Sequence, residues 1–433
     1  MIKLAGVITL AVFLSIGLGI IFFLVSSRES TQEEAVTAIG RSWGLEQRVA
    51  GPFVVVPFKK RRVLSDGAAG VRQRVEYLAW LPDRLQVDSQ VKLEKRKRGI
   101  FQAAVYLNHL KVSGIITIPT EAELRSFAQE ILWEGAAAVF FISDPRGIHG
   151  DPPLTWGNQT IEVIRGTSYA SFLPYGVYAP LRNLVPGASS IPFNVTLDLR
   201  GTRSFSIAPA AKMTHVTMKA KWPDPSFIGA FLPDRRNISP QGFSAEWNVS
   251  RLAQSLPQIW SSEQQDSQEV ARALEESYLG VEFLEAVSPY RSILRSVKYG
   301  VLVITLTFVT FFLFEMLSGL RIHPVQYLSV GAALATFYLL LLSLAEHFGF
   351  DWSYLVAALA IVGLSCTYSY TVLGGARRTF ALGGLLSTLY IFLYVLMQIE
   401  DYALLVGTLA LFVVLAVFMY LTRKIDWYHL GSF

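Results

Sequence analysis

The chain has 433 residues, is 52% hydrophobic and 16% charged, and has a mean hydropathy of +0.40, an average lifted by its last third. Its one cysteine, Cys366, leaves no partner for a disulfide within the chain, so packing alone must hold every domain. The formal charge of +5 comes from loop residues and short basic clusters that lack the interleaved aromatics used to stack on bases, which sets nucleic-acid binding aside.

Residues 4–25 form an apolar run between Lys3 and Arg28. A signal peptide offers a shorter core followed by a small-residue cleavage site. Ser26-Ser27 could be read as one, but the run is long enough to span hydrocarbon and predicts a retained transmembrane helix over 4–26.

Residues 27–297 have strand character. Runs rich in Val, Ile, Thr and Phe, punctuated by Gly, Pro and Asp, predict strands at 53–58 (opened by Gly51-Pro52), 77–81, 85–93, 101–107, 111–118, 137–142, 160–164, 193–199, 205–207 and 215–220. So many short strands suggest an antiparallel sandwich or a related curved sheet. One helix is expected over 121–133, capped by Thr120 with Glu123 three residues on. The clusters Lys59-Lys60-Arg61-Arg62 and Lys95-Arg96-Lys97-Arg98 could meet lipid headgroups, or serve as a solvated hairpin and a charged strand edge that resists self-pairing.

Residues 221–233 form a Pro-rich belt. Pro223 and Pro225 keep the backbone extended, Trp222, Phe227 and Phe231 offer apolar anchors, Gly229 permits a turn, and Pro233 closes the run. The pattern predicts a segment that seals a sheet edge, with a partner-binding surface as the alternative. Further on, Ser288-Pro289 starts a helix with Arg291, Arg295 and Lys298 on one face and Tyr290, Ile293, Leu294 and Val297 on the other.

Apolar runs then cover residues 299–317, 324–345, 352–373, 380–398 and 402–421, each near the length of about 20 needed to cross a bilayer. Their junctions alternate: Arg321 with His323, Glu346 with Asp351, Arg377-Arg378, Glu400-Asp401, Arg423-Lys424. Short Lys/Arg-rich loops stay in the cytoplasm. The expected fold is therefore an α-helical polytopic membrane protein of six transmembrane helices, both termini cytoplasmic, with a large β-rich, sandwich-like extracytoplasmic domain between helices one and two. Its parts are helix one at 4–26, the periplasmic domain at 27–297, a five-helix bundle at 298–426 and a tail at 427–433.

No Gly-rich phosphate loop, metal-ligand spacing or nucleophile elbow is present, so neither a catalytic residue, a metal nor a cofactor is expected. The histidines His109, His149, His215, His323, His347 and His429 are scattered over both expected sides of the membrane. Ionisable groups at the ends of spans are the candidates: Glu315, Arg321, His323, Glu346 and His347. Each can also be read as a boundary marker, with Glu315 paired to Arg321 or His323.

The stretches 221–233 and 242–247, Phe311-Phe312-Leu313-Phe314-Glu315, Arg321-Ile322-His323-Pro324, the run 337–347 and the ending 421–428 resemble the CreD family of bacterial inner-membrane proteins. Asp144-Pro145-Arg146-Gly147-Ile148 belongs to the same match, which covers nearly the whole chain except about 255–288. The resemblance implies a non-enzymatic protein of cell-envelope integrity, linked to an envelope-stress and β-lactam response, that meets the lipid bilayer and an envelope protein or lipid partner. A transporter, flippase or insertase-like bundle is the alternative, since some membrane insertases share this layout.

Overall fold

The computed structural model describes residues 2–63, 71–125, 127–128, 130–166, 175–182, 184, 186–187, 190–262, 264–283, 289–318, 322–373, 375–399 and 402–423. The chain divides into two compact units, residues 34–286 and residues 1–33 with 287–433. The helices are α1 (Ile2–Trp43), α2 (Glu121–Leu124), α3 (Gln264–Ser277), α4 (Pro289–Lys298), α5 (Gly300–Ser318), α6 (Pro324–Phe348), α7 (Phe350–Leu373), α8 (Ala376–Gln398) and α9 (Ala403–Thr422). No residue breaks α1 where the apolar run ends, and the helix continues through the polar stretch to Trp43.

Unit 34–286 is built on two sheets. One runs in the order Ile164–Arg165, Gly176–Pro180, Ala137–Ile142, Gln47–Val63, Ser204–Ile207, Leu279–Phe283, Pro225–Gly229, with Val71–Trp80 and Glu130–Ile131 also paired to Gln47–Val63. The other runs Arg235–Ser239, Gly242–Ser250, Met213–Ala220, Arg84–Arg98, Phe101–Ile116, Ile191–Thr202, Leu154–Trp156, Gln159–Ile161. Alternation lets four strands of the second sheet bury one face: Leu85, Val87 and Val91; Val216 and Met218; Phe243, Ala245 and Trp247; Phe193, Val195, Leu197 and Leu199. These pack in one core with Val49, Val54, Val56, Phe140, Phe205 and Val281 of the first sheet.

The strands expected at 101–107 and 111–118 are a single strand, Phe101–Ile116, because its register against Ile191–Thr202 runs unbroken from Val105 to Ile116. Gly51-Pro52 lies within a strand instead of opening one, and the register against Ala137–Ile142 shifts between Ala50 and Phe53. The helix expected over 121–133 stops at Leu124, although Thr120 and Glu123 do form the capping box. Tertiary pairing overrides propensity here: Ile131 sits opposite Phe58, and the Leu132 amide donates to the Pro57 carbonyl at 2.8 Å.

Among the described residues, four helices are long and apolar enough to cross a membrane: Ile8–Trp43, Pro324–Phe348, Phe350–Val372 and Ala376–Gln398. They become five if α4 and residues 300–312 of α5, bent by 40° at their junction, form one span. The face of α1 at Leu14, Leu18, Ile21 and Val25 is buried, whereas Phe13, Ile16, Ile20 and Phe23 are more than 60% exposed, the division expected of a helix packed on a bundle with its back to lipid.

Candidate functional site

The site is organised by α6. His-Pro at its start sets the first turn: His323 Nδ1 accepts from the Val325 amide at 3.3 Å, the Gln326 side chain accepts from the His323 amide at 2.9 Å, and Pro324 occupies a position whose missing donor costs nothing. His323 is thus a helix cap. From there Tyr327, Val330, Leu334, Phe337, Tyr338, Leu341, Leu342 and Ala345 recur at helical spacing and form the buried stripe.

That stripe carries a carboxylate contact at each end. Tyr327 donates its hydroxyl to Glu315 Oε2 of α5 at 3.3 Å, with its ring edge-on to Phe308 at 5.4 Å. Glu346, with only 13% of its side chain exposed, accepts from the Tyr290 hydroxyl of α4 at 3.0 Å, and Arg28 of α1 lies 3.9 Å from the same oxygen. A second pair, Arg291 with Glu29 at 3.9 Å, joins α4 to α1 beside it. Three helices therefore meet at Glu346. The sequence candidates do not make one site, because Tyr327 and Glu346 are separated by roughly 28 Å of helix. Arg321 lies outside the described residues, as does His429. His347 is exposed and donates from Nδ1 to the Ser343 carbonyl one turn back, at 3.2 Å.

The belt lies in the other unit as an edge strand, Pro225–Gly229, paired on one side with Leu279–Phe283. Pro at its first position withholds no ladder hydrogen bond. Phe227 meets Phe243 at 5.9 Å and Trp247 at 6.0 Å, while the Trp247 indole donates to the Phe231 carbonyl at 3.1 Å. Trp222 turns back on its own segment, donating to the Asp224 carbonyl at 3.2 Å. Pro223 is exposed and Pro233 half-buried.

Sequence reasoning gave no role to a cleft of about 350 Å³ bordered by Glu46, Arg48, Asp144 and Arg203. Asp144 is 6% exposed and fully engaged, accepting from the Leu45 amide at 3.0 Å and from Arg146 Nε at 2.8 Å and Nη2 at 3.1 Å. Burial alone would push its carboxyl up; the hydrogen bonds from Arg146 and Leu45 and the Arg146 charge outweigh burial and hold it below the usual carboxylate range. Arg203, with φ of 61°, is the one residue between Ile191–Thr202 of the second sheet and Ser204–Ile207 of the first. Arg48 pairs with Glu275 at 2.6 Å and Arg203 with Glu46 at 3.9 Å, so the charges at the rim are met within the fold. Among the described residues, no group of three His, Cys, Asp or Glu is placed to hold a metal.

The family comparison matches residues 1–428 to the model described as inner membrane protein CreD. The chain belongs to the CreD family. The inner membrane protein CreD of Escherichia coli strain K12 is 31% identical over 429 residues, covering 98% of this chain and 93% of that protein. A solved structure, the M1 zinc metallopeptidase from Deinococcus radiodurans, aligns with a TM-score of 0.20 at 7% identity over 47% of this chain and 42% of that one, too slight a likeness to bear on fold or activity. As a CreD-family protein the chain is an inner-membrane protein whose membrane helices accompany a large β-rich domain.

Proposed function

We propose that this CreD-family protein supports cell-envelope integrity during envelope stress, β-lactam challenge included, and that it does so without catalysis, through a periplasmic domain that binds or senses an envelope protein or lipid. In this reading six spans cross the membrane, both termini are cytoplasmic, and the two sheets form a sandwich between spans one and two. The alternation of basic and acidic junctions supports the orientation.

The observation that carries the reading is the Glu346 junction. α1 and α4 are the two passages of the chain between the bundle and the sheet domain, and both close on one carboxylate of α6. A change in either passage is therefore felt at the helix that forms the bundle core. The test is survival under β-lactam challenge of cells lacking the protein, complemented with the full chain or with Glu346→Leu at matched abundance. The full chain should restore survival and the variant should not; equal survival without the protein would overturn the proposal. A reporter active only outside the cytoplasm, fused after Asp351 or Arg378, should work at the first site and fail at the second.

The bend between α4 and α5 favours a second reading, a transporter, flippase or insertase-like bundle, because broken spans are where membrane proteins present backbone groups to a polar path. Uptake or flipping that is lost with Glu315→Gln at normal abundance would favour it over the first.

A further inference from the structure

Among the described residues, the hydroxyls of Tyr338 on α6 and Tyr390 on α8 have no hydrogen-bond partner, although their residues are only 1% and 3% exposed. Ser296 on α4, 0% exposed, is in the same position, as are Ser365 and Ser369 on α7. A serine can rotate to the carbonyl one turn back, as Thr307 does to Val303 at 2.7 Å. A tyrosine hydroxyl stands too far from its own backbone to do so. Other buried tyrosines described in the helical unit are met: Tyr354 donates to the Tyr390 carbonyl at 2.7 Å, and Tyr290 and Tyr327 find carboxylates. Leaving a buried hydroxyl unbonded forfeits its hydration with nothing in return.

The rings of both tyrosines pack on one phenylalanine. The Phe337 ring centroid lies 4.9 Å from that of Tyr338 and 4.6 Å from that of Tyr390. The Tyr338 hydroxyl reaches to 3.0 Å from where a Cβ on Gly300 would stand, and Gly300 is the first residue of α5 after the 40° bend. A bend of this kind leaves backbone carbonyls and amides at two helix ends without their usual ladder.

We propose that the bundle holds ordered water at the α4–α5 bend, bonded by the hydroxyls of Tyr338 and Tyr390. The chemistry selects a neutral occupant. Ser296, Tyr338 and Tyr390 carry no charge, Lys298 beside the bend is exposed, and Glu346 is occupied by Tyr290 and Arg28, so an ion would enter without a counter-charge. Water both donates and accepts, as a phenol does, and a buried water needs two to four such partners. The inference stands apart from both functional readings above.

X-ray radiolytic footprinting of the full chain in detergent tests it, since radicals born from bound water label the side chains that touch it. Tyr106 is the dry control: it is 1% exposed, and its hydroxyl donates to the Ser204 carbonyl at 2.7 Å. Tyr338 and Tyr390 should be labelled at least tenfold faster than Tyr106; labelling as slow as Tyr106 at both would overturn the proposal. Tyr338→Phe gives a second reading on the same question. Removal of a hydroxyl that water satisfies should lower the thermal midpoint and slow the labelling of Tyr390, whereas an unchanged or higher midpoint would mean a dry bundle.

Discussion

The Tyr290 hydroxyl lies 3.0 Å from Glu346 Oε1, and the two residues stand 56 positions apart in the chain. Tyr290 is 3% exposed, so it depends on that one carboxylate for its hydrogen bond, while Arg28, with half its side chain in solvent, reaches the same oxygen only at 3.9 Å.

Glu346→Gln retains an acceptor for Tyr290 and gives up only the long, exposed pair with Arg28. The expected loss is below about 1 kcal/mol. Glu346→Leu strands the Tyr290 hydroxyl and should cost about 1–3 kcal/mol. Thermal unfolding of both variants in detergent checks this; equal losses would show that the charge on Glu346, and not its acceptor oxygen, holds the junction.

At the other end of α6, Glu315→Gln preserves an acceptor 3.3 Å from the Tyr327 hydroxyl. Membrane abundance and survival under envelope stress should both match the parent protein. A fully inserted but inactive variant would remove the structural reading of Glu315 and shift weight to the transporter class, since a titratable group would then be needed within the membrane.

Asp144 links α1's end to the first sheet and carries a depressed pKa, first opposed by burial and then set by Arg146 and Leu45. A carboxyl with a lowered folded-state pKa contributes stability at pH values above its unfolded value, and that contribution is lost as pH falls through the folded one, below 3.8. Asp144→Ala leaves the Leu45 amide and the Arg146 guanidinium without their acceptor and should cost about 1–3 kcal/mol at pH 7. Urea unfolding at pH 7 and at pH 2 should show a gap between parent and variant that closes at the lower pH; a gap that persists would mean packing, not charge, is lost.

Gly229 ends the edge strand with φ of 102°, and a Cβ there would collide with the Tyr278 carbonyl oxygen. Gly229→Ala is expected to lower stability by more than about 1 kcal/mol, through strain and clash together. Phe227→Ala removes a ring that is half-buried against Phe243 and Trp247, so its cost should fall short of the roughly 3–5 kcal/mol of a fully buried aromatic. Protein abundance and chemical unfolding measure both. Normal abundance of Phe227→Ala with lost envelope protection would mark the belt as a partner surface.

The sequence read the Thr120 capping box and the strand Ala137–Ile142 correctly because both are written in adjacent residues, a cap three positions from its partner and a Val/Phe run between Gly and Asp. It placed a helix over 125–133 where Ile131 instead pairs with Phe58, since no local signal announces a strand partner some 70 positions away. At the site, Glu315, His323, Glu346 and His347 were legible as polar residues closing apolar runs, yet their partners were not. Tyr290 read as one more apolar face residue, and Tyr338 and Tyr390 as packing.

The sequence by itself determined the apolar helices, their order and the strand-rich segment between them, because run length and residue alternation are local properties fixed by bilayer thickness and by the pleat. Only the tertiary structure decided which side chains meet. Whether Glu346 faces Tyr290 and Arg28, and whether the hydroxyls of Tyr338 and Tyr390 stand apart from every acceptor among the described residues, depends on how α1, α4, α6 and α8 pack, and packing is a relation among distant residues that no single stretch of chain contains.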